Sequence, residues 1–490
     1  MKLGFDNELY VTIQSEKIKE RFKLFDKLYL EIGGKLFEDN HASRVLPGFK
    51  PNAKISMFQQ LKNDLEIIFC INANDIERNK TRADYGITYD KEIERLIEQA
   101  KDNGFSVNSV VITLYNNQPS VDTFIKKLER QNIKTYIHKF TKGYPTDVDT
   151  IVSDEGYGAN PYIETTKKLI LVNAPGPGSG KLATCLSQLY HEHKRGVNAG
   201  YAKFETFPVW DLPLKHPVNL AYEAATADLK DVNMIDPFHL EHYGVQAVNY
   251  NRDIETFPIL KSILNKITNK DIYESPTDMG VNTLSKAIID NDVVVCAAKK
   301  EIVRRYYQER CNYKIGRSDE DNIQRIKLLM NELEIDENYL DVVKPALEKA
   351  KKVHRHVISL KLNNGKIITG KQTNLLEPTC SLLLNAIKEI NKIPDNVDLL
   401  SKNILDPIIR LRKKTLTSFN KCLNIQEVLI ALSICSVTNP IIDKALKNLN
   451  KLNGCEAHAT YIISNADLKT LKSLQINLTS EPYFLNDKIF

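Results

Sequence analysis

Between Leu65 and His138 the chain alternates short apolar runs with longer stretches whose apolar residues recur at helical spacing, and this alternation restricts the fold more than any other feature. Leu65 to Ala73, Val107 to Tyr115 and Lys134 to His138 read as strands, with helices Lys91 to Asn103 and Val121 to Gln131 between them. A helix-long connection does not close a hairpin, so successive strands lie parallel and are joined by right-handed crossovers. Upstream, a strand Tyr10 to Gln14, a helix Ser15 to Phe25 capped by Ser15, and a strand Leu28 to Ile32 ending at Gly33-Gly34 extend the pattern. The polar connection Gly33 to Pro51 reads as a surface loop in which Lys35, His41 and Arg44 are available to an anion.

The stretch Lys167 to Gly196, KKLILVNAPGPGSGKLATCLSQLYHEHKRG, repeats the strand and helix but joins them through glycine. Leu169 to Val172 reads as a strand, Gly176, Gly178 and Gly180 punctuate the loop, and Lys181 opens a helix running towards Gly196. Glycine admits positive φ and close approach to a ligand, while the free N–H groups and dipole of the following helix attract an anion. A phosphate-binding loop requires glycine, four residues, Gly-Lys, and then serine or threonine. Gly180-Lys181 meets this pattern, whereas Pro175 and Leu182 occupy the other two fixed points and the nearest hydroxyls are Ser179 and Thr184. The expected phosphate or nucleotide set is Gly176, Gly178, Ser179, Gly180, Lys181 and Thr184; a plain glycine turn is the alternative. Asp154 and Glu155 follow an apparent strand Thr150 to Ser153, and an acidic strand end can hold Mg²⁺ against phosphates. Lys181, Asp154 and Glu155 are therefore the catalytic candidates, although a turn through Asp-Glu-Gly-Tyr-Gly accounts for the acidic pair equally well.

Five of the ten histidines fall between His191 and His242. His191, His239 and His242 are the candidate metal ligands, His239 and His242 being spaced to share a helix face. His191-Glu192-His193 is not HExxH, and its two histidines point to different sides of a helix, which argues against zinc. Trp210 lies in a proline-stiffened segment, Lys203 to Leu229, that reads as a packed connection, although such a loop can wall a pocket.

The 67 basic and 62 acidic residues leave a net charge of only +5, too balanced for a nucleic-acid footprint. No apolar run reaches membrane-span length, and the eight cysteines are scattered without a CxxC pair. A cytoplasmic protein with reduced thiols, binding neither nucleic acid nor membrane, is expected.

At 490 residues the chain exceeds one ordinary core. Three domains are expected: an α/β domain over 1–250 with a mainly parallel sheet and the glycine loop, a helical domain over 251–352, and a smaller α/β domain over 353–490. The helical part reads as Ile259 to Ile267, Thr283 to Ile289, Asp292 to Cys311 and Asp319 to Glu332. Lys299, Lys300, Arg304, Arg305 and Arg310 make one helix basic, read as a solvated face or as a surface that closes over phosphates. Asn363-Asn364-Gly365 predicts a hairpin with a two-residue type I′ turn between Val357 to Leu362 and Ile367 to Gly370. Helices Cys380 to Ile390, Leu405 to Lys414, Ile425 to Ser436 and Ile441 to Leu449 follow, then Gly454-Cys455-Glu456-Ala457-His458 ahead of a strand Ala459 to Ile463.

The strings YLEIGGKLFEDNHASRVLPGF, IVSDEGYGAN, NAPGPGSGKLATCLSQLYHEHKRG, HPVNLAYEAATADL, NMIDPFHLEHYG, SPTDMGVN and GCEAHATYIIS resemble uncharacterised protein family 0371, a bacterial group built on a domain of unknown function. The resemblance spans nearly the whole chain and implies an α/β amino-terminal part, a helical section and an α/β carboxyl-terminal domain. The label of ATP-dependent zinc peptidase sometimes attached to members finds no HExxH in this sequence. The residues lead to an enzyme that binds a nucleotide or another phosphorylated small molecule at a P-loop-like turn, with phosphoryl or nucleotidyl transfer as the reaction and Mg²⁺ as the accompanying ion. The alternatives are a metal-dependent hydrolase using the histidines between His191 and His242, and a non-catalytic oligomeric binding module. A homo-oligomer is expected, the basic helix and the hairpin serving as subunit contacts.

Overall fold

A computed structural model describes residues 2–82, 86–414 and 422–487, Lys413 in its backbone only. Two compact units divide the chain: Lys2–Glu223 with Lys230–Ala298, and Ala224–Leu229 with Lys299–Phe490.

The first unit is built on six parallel strands: β1 (Lys27–Ile32), β2 (Leu65–Asn72), β3 (Ser106–Thr113), β4 (Lys134–Ile137), β5 (Leu169–Asn173) and β6 (Ala199–Phe204). Their order across the sheet is β4-β3-β2-β5-β1-β6. The near-continuous apolar runs of β2 and β5 are buried on both faces, as a parallel sheet covered by helices requires. From β2 the chain moves through β3 to β4 in one direction, whereas from β5 it crosses over β1 to β6 in the other. Right-handed crossovers therefore send the helices after β2 and β5 to opposite faces, and a crevice opens between these neighbours at their carboxyl ends. Helix Lys181–Lys194 and helix Asn251–Thr268 cover one face around Tyr29, Ile170, Val172, Leu189, Phe257 and Ile263.

Three local expectations are corrected. Tyr10 to Gln14 is not a strand: one helix, Asn7–Lys23, is capped by Asp6, and its buried Tyr10, Val11, Gln14, Ser15 and Ile18 follow helical spacing. Thr150 to Ser153 is not a strand either, because Asp147 accepts the Thr150 N–H and starts a short helix, Val148–Ile151. Thr283 to Ile289 shrinks to a 3₁₀ turn, Leu284–Ala287. A small antiparallel pair, β7 (Asn233–Ile235) and β8 (Val248–Tyr250), completes this unit.

The second unit carries β9 (Val357–Lys361), β10 (Ile367–Lys371), β11 (Glu456–Ala459) and β12 (Asn477–Ser480) in the order β10-β9-β11-β12. Helices Pro378–Asn391 and Ile425–Ser436 pack Leu383, Ile387, Val428 and Leu432 against Ile358 and Leu360. The expected hairpin is present, but Leu362 N–H bonds the Lys366 carbonyl and Gly365 takes φ +88°, so the loop holds three residues with glycine in the left-handed position. The basic helix, Asn291–Lys314, is neither a solvated face nor a phosphate lid at its central residues. Arg304 is buried between Glu301 and Glu456, and Arg305 pairs with Glu301. The strand expected at Ala459 to Ile463 begins earlier, so His458 lies inside β11, wholly buried, with Nδ1 2.9 Å from Thr479 Oγ1.

Candidate functional site

The glycine loop sits at the carboxyl end of β5, at the topological crevice. Gly178 and Gly180 adopt φ +72° and +81°, and Gly180 caps the helix that Lys181 opens. A Cβ at Gly180 would stand 2.7 Å from the Thr113 side chain, so the residue must be glycine for space as well as conformation. The loop is pinned from behind by Thr113 Oγ1 to the Ser179 carbonyl (2.9 Å) and Asn72 Nδ2 to the Gly178 carbonyl (3.2 Å). Its carbonyls are thus turned into the protein, and the backbone N–H groups of Gly178, Ser179, Gly180 and Lys181 meet no acceptor among the described residues. The two hydroxyls of the expected set face inward: Ser179 Oγ donates to the Gly176 carbonyl at 2.7 Å and Thr184 Oγ1 to the Gly180 carbonyl at 3.0 Å. Beneath them, burial pushes the Cys70 thiol up to about 12 and raises Cys185 as well, so neither is a thiolate at neutral pH.

Lys181 reaches back over the sheet to β1, its Nζ 3.8 Å from Glu31 Oε1. The other Glu31 oxygen accepts the Tyr201 hydroxyl at 2.9 Å. Parallel register sets Glu31 beside Lys203 of β6. Lys203 Nζ in turn binds Asp253 Oδ2 at 2.6 Å and Glu205 Oε2 at 3.1 Å. Burial alone would lower the Lys203 ammonium, but Asp253, then Glu205 and Glu31, hold it above its usual range. Burial pushes the Glu205 carboxyl up to about 7; Lys203 opposes the rise, while Asp253 and Glu31 reinforce it. Gly33 makes this arrangement possible, since a Cβ there would lie 2.1 Å from Glu205 Cγ.

Glu205, Lys203 and Asp253 form the floor of a cavity of about 490 Å³ whose walls include Arg21, Trp210 and Asp278. Trp210 is fixed by its Nε1–H to the Asn282 carbonyl (3.0 Å), and Arg21 donates to the Asp278 carbonyl (2.5 Å). A capping box between Ser275 and Asp278 shapes the adjoining turn.

Other expected site residues lie elsewhere. Asp154 bonds the Tyr190 hydroxyl at 2.9 Å and pairs with Lys194, at the carboxyl end of the helix whose amino end carries Lys181. Nine residues of helical rise, roughly 13 Å, separate Tyr190 from Lys181. Glu155 is exposed and paired with Lys142. His191 Nε2 meets the Asn160 carbonyl at 2.7 Å, whereas His239 Nδ1 meets Ser275 Oγ at 3.0 Å at the cavity wall. His242 lies 3.9 Å from Glu274, and no metal-holding group of three His, Cys, Asp or Glu side chains occurs among the described residues. His41 is buried rather than on a surface loop, edge-on to Phe207 and Tyr222. Sequence reasoning named Lys181 but not Glu31, Lys203, Glu205 or Asp253. The signal available was the alternation Tyr201-Ala-Lys203-Phe-Glu205, which puts three polar side chains on one face along and just past β6.

The fold and site define a class: an open α/β protein with a doubly wound parallel sheet and a polar, cavity-bearing carboxyl edge. The chain belongs to the DUF1846 family, residues 3–334 matching the domain of unknown function DUF1846, N-terminal, and residues 338–490 its C-terminal counterpart. It is 55% identical to a UPF0371 protein of Clostridium botulinum strain Eklund 17B over 100% of this chain and 99% of that one. UPF0371 proteins of Clostridium botulinum strain Alaska E43 and of Clostridium tetani are each 54% identical, with the same coverage. No helix among the described residues is long and apolar enough to cross a membrane.

Proposed function

We propose that the chain is an enzyme acting on a phosphorylated small molecule, a nucleotide or a simpler phosphate ester, whose phosphate rests on the amides from Gly178 to Lys181. The observation that carries this reading is the set of backbone N–H groups without protein acceptors, at the start of a 14-residue helix and at the crevice of the sheet. Lys181 supports it: a phosphate on the loop competes with Glu31 for the ammonium and frees that carboxylate towards Lys203. Phosphoryl or nucleotidyl transfer then rests on positioning and charge stabilisation. Any Mg²⁺ arrives with the phosphates, since Asp154 and Glu155 lie away from the loop.

Calorimetric titration of ATP, ADP and a nucleotide-free phosphate ester, with and without Mg²⁺, tests the reading in the wild type and in Lys181→Ala. Saturable binding that weakens about tenfold or more in the variant is expected, a loss of about 1.4 kcal/mol. Equal affinities in the two proteins would remove Lys181 and the loop from the site.

A further inference from the structure

The cavity floored by Glu205 stands two strand positions from the glycine loop, across β1, or roughly 10 Å at the usual spacing of neighbouring strands. A phosphate is a poor occupant for it. Four basic and five acidic side chains line the space, and its floor presents Glu205 and Asp253 around a single lysine. An anion placed there meets carboxylates at once. An apolar ligand is also poor, because it takes the carboxylate oxygens of Glu205 and Asp253 that Lys203 does not hold out of water and gives them no hydrogen bond in return. Hydroxyl groups suit the floor: they donate to carboxylate oxygens and accept from ammonium groups. The lining also holds an aromatic surface, the Trp210 indole, tethered to Asn282 and with the His239 ring at 6.0 Å between centroids. A ring carrying hydroxyls on its rim and C–H groups on its face satisfies both surfaces.

We propose that this cavity takes the uncharged, polyhydroxylated part of the substrate, a sugar ring or a ribose, with Glu205 accepting its hydroxyls and Trp210 packing on its C–H face. The inference rests on the phosphate reading above, because a sugar in the cavity and a phosphate on the loop become one molecule across the Lys181, Glu31 and Lys203 bridge. Glu205 is a binding residue in this arrangement, held by Lys203 at one oxygen and left by Gly33 with room to lie across the sheet edge.

The test titrates inorganic phosphate, ribose, glucose, ribose 5-phosphate, glucose 1-phosphate and glucose 6-phosphate into wild type, Glu205→Gln, Trp210→Ala and Lys181→Ala, with thermal unfolding as the check on folding. At least one sugar phosphate is expected to bind about tenfold tighter than inorganic phosphate in the wild type. Glu205→Gln and Trp210→Ala should erase that advantage and leave inorganic phosphate where it was; Lys181→Ala should weaken both ligands. Trp210→Phe, which keeps an aromatic surface, should retain most of the advantage. Sugar phosphates that bind no tighter than inorganic phosphate, or an advantage that survives both cavity variants, overturn the proposal while the phosphate site stands. Free sugars that saturate and respond to Glu205→Gln, with inorganic phosphate failing to bind, uphold the cavity and overturn the loop. No saturation by any probe overturns both.

Discussion

Both units hold partly buried clusters of opposite charge at a sheet, and the first unit's cluster lines a cavity. At the edge of β6, Lys203 is shared by Asp253 and Glu205 above a cavity of about 490 Å³. In the second unit Arg304 is held between Glu301 and Glu456, Glu301 being 1% exposed, and His458 is sealed in β11 beside Glu481 at 3.5 Å. A crevice in that unit bounded by Leu360, Leu382, Leu452 and Ile476 offers about 10 Å³, barely a water molecule. Each cluster sets one cation between two carboxylates at similar distances, lysine in the first and arginine in the second. The room beside its charges, not the charges themselves, sets the proposed site in the first unit apart.

The largest effects come from removing the shared cation. Lys203→Met leaves Glu205 and Asp253 without their shared cation, and Arg304→Met leaves Glu456 without its own while Glu301 keeps Arg305. Each should cost about 3–5 kcal/mol in urea unfolding at pH 8, because an uncompensated buried charge is the expensive state. The clusters should then part company: Lys203→Met alters ligand titrations, whereas Arg304→Met leaves the affinity of any folded protein untouched. A cost below about 1 kcal/mol at Lys203 would show that its carboxylates are already well solvated.

Two glycines sharpen the contrast at a smaller scale. A Cβ at Gly33 meets the Glu205 side chain, whereas a Cβ at Gly370 meets the Leu382 backbone N at 2.2 Å and the Pro378 carbonyl at 2.5 Å. A side chain can turn away into the cavity; a helix backbone has nowhere to go. Gly370→Ala should cost about 3 kcal/mol and Gly33→Ala about 1 kcal/mol by thermal or urea unfolding. Only Gly33→Ala should weaken ligand binding, by displacing Glu205. The reverse order of costs would mean that the carboxyl end of β1 is the more tightly packed of the two.

The parts of this architecture legible in the sequence are those where one physical signal dominates. The buried strands β2, β3 and β5 appear as apolar runs, and helix Pro119–Arg130 as an amphipathic period, because burial on a sheet forces those patterns. Of the first helix, expected only from Ser15 onward, the opening turns were hidden because Val11, Thr12 and Ile13 are β-branched and imitate a strand, while the helical spacing of the buried Tyr10, Gln14 and Ile18 includes a glutamine that reads as polar. Gln14 is buried because it bonds the Val281 carbonyl and Thr283, partners far along the chain that no local pattern announces. The site divides in the same way. Gly176 to Lys181 is contiguous and was visible, whereas Glu31, Lys203 and Asp253 come together only through the order β5-β1-β6, which places β1 between two strands much later in sequence.

The smallest effects are pH-dependent, and they separate the units by function rather than by stability. Glu205 in the first unit is raised to about 7, and Glu377 in the second to about 8, burial being the leading cause for both; Asp467 adds to the rise at Glu377. An unfolded glutamate titrates near 4.3, so the folded protein holds each of these protons more tightly. The stability they contribute is complete below about pH 4 and is lost as pH rises through the folded values. Glu205→Gln and Glu377→Gln cannot ionise, so each variant should gain in unfolding temperature relative to wild type as pH is raised from 4 to 8, with the Glu377 gain continuing to the higher pH. The ligand profile should distinguish them. Wild-type affinity for a sugar phosphate should change across pH 6 to 8 as Glu205 turns from donor to acceptor, over and above the phosphate's own second ionisation at about pH 6; Glu205→Gln should leave only the ligand's share, and Glu377→Gln should leave the whole change intact. If Glu377→Gln flattens that profile as well, ionisation in the second unit is coupled to binding in the first, and the division between an open and a sealed cluster fails.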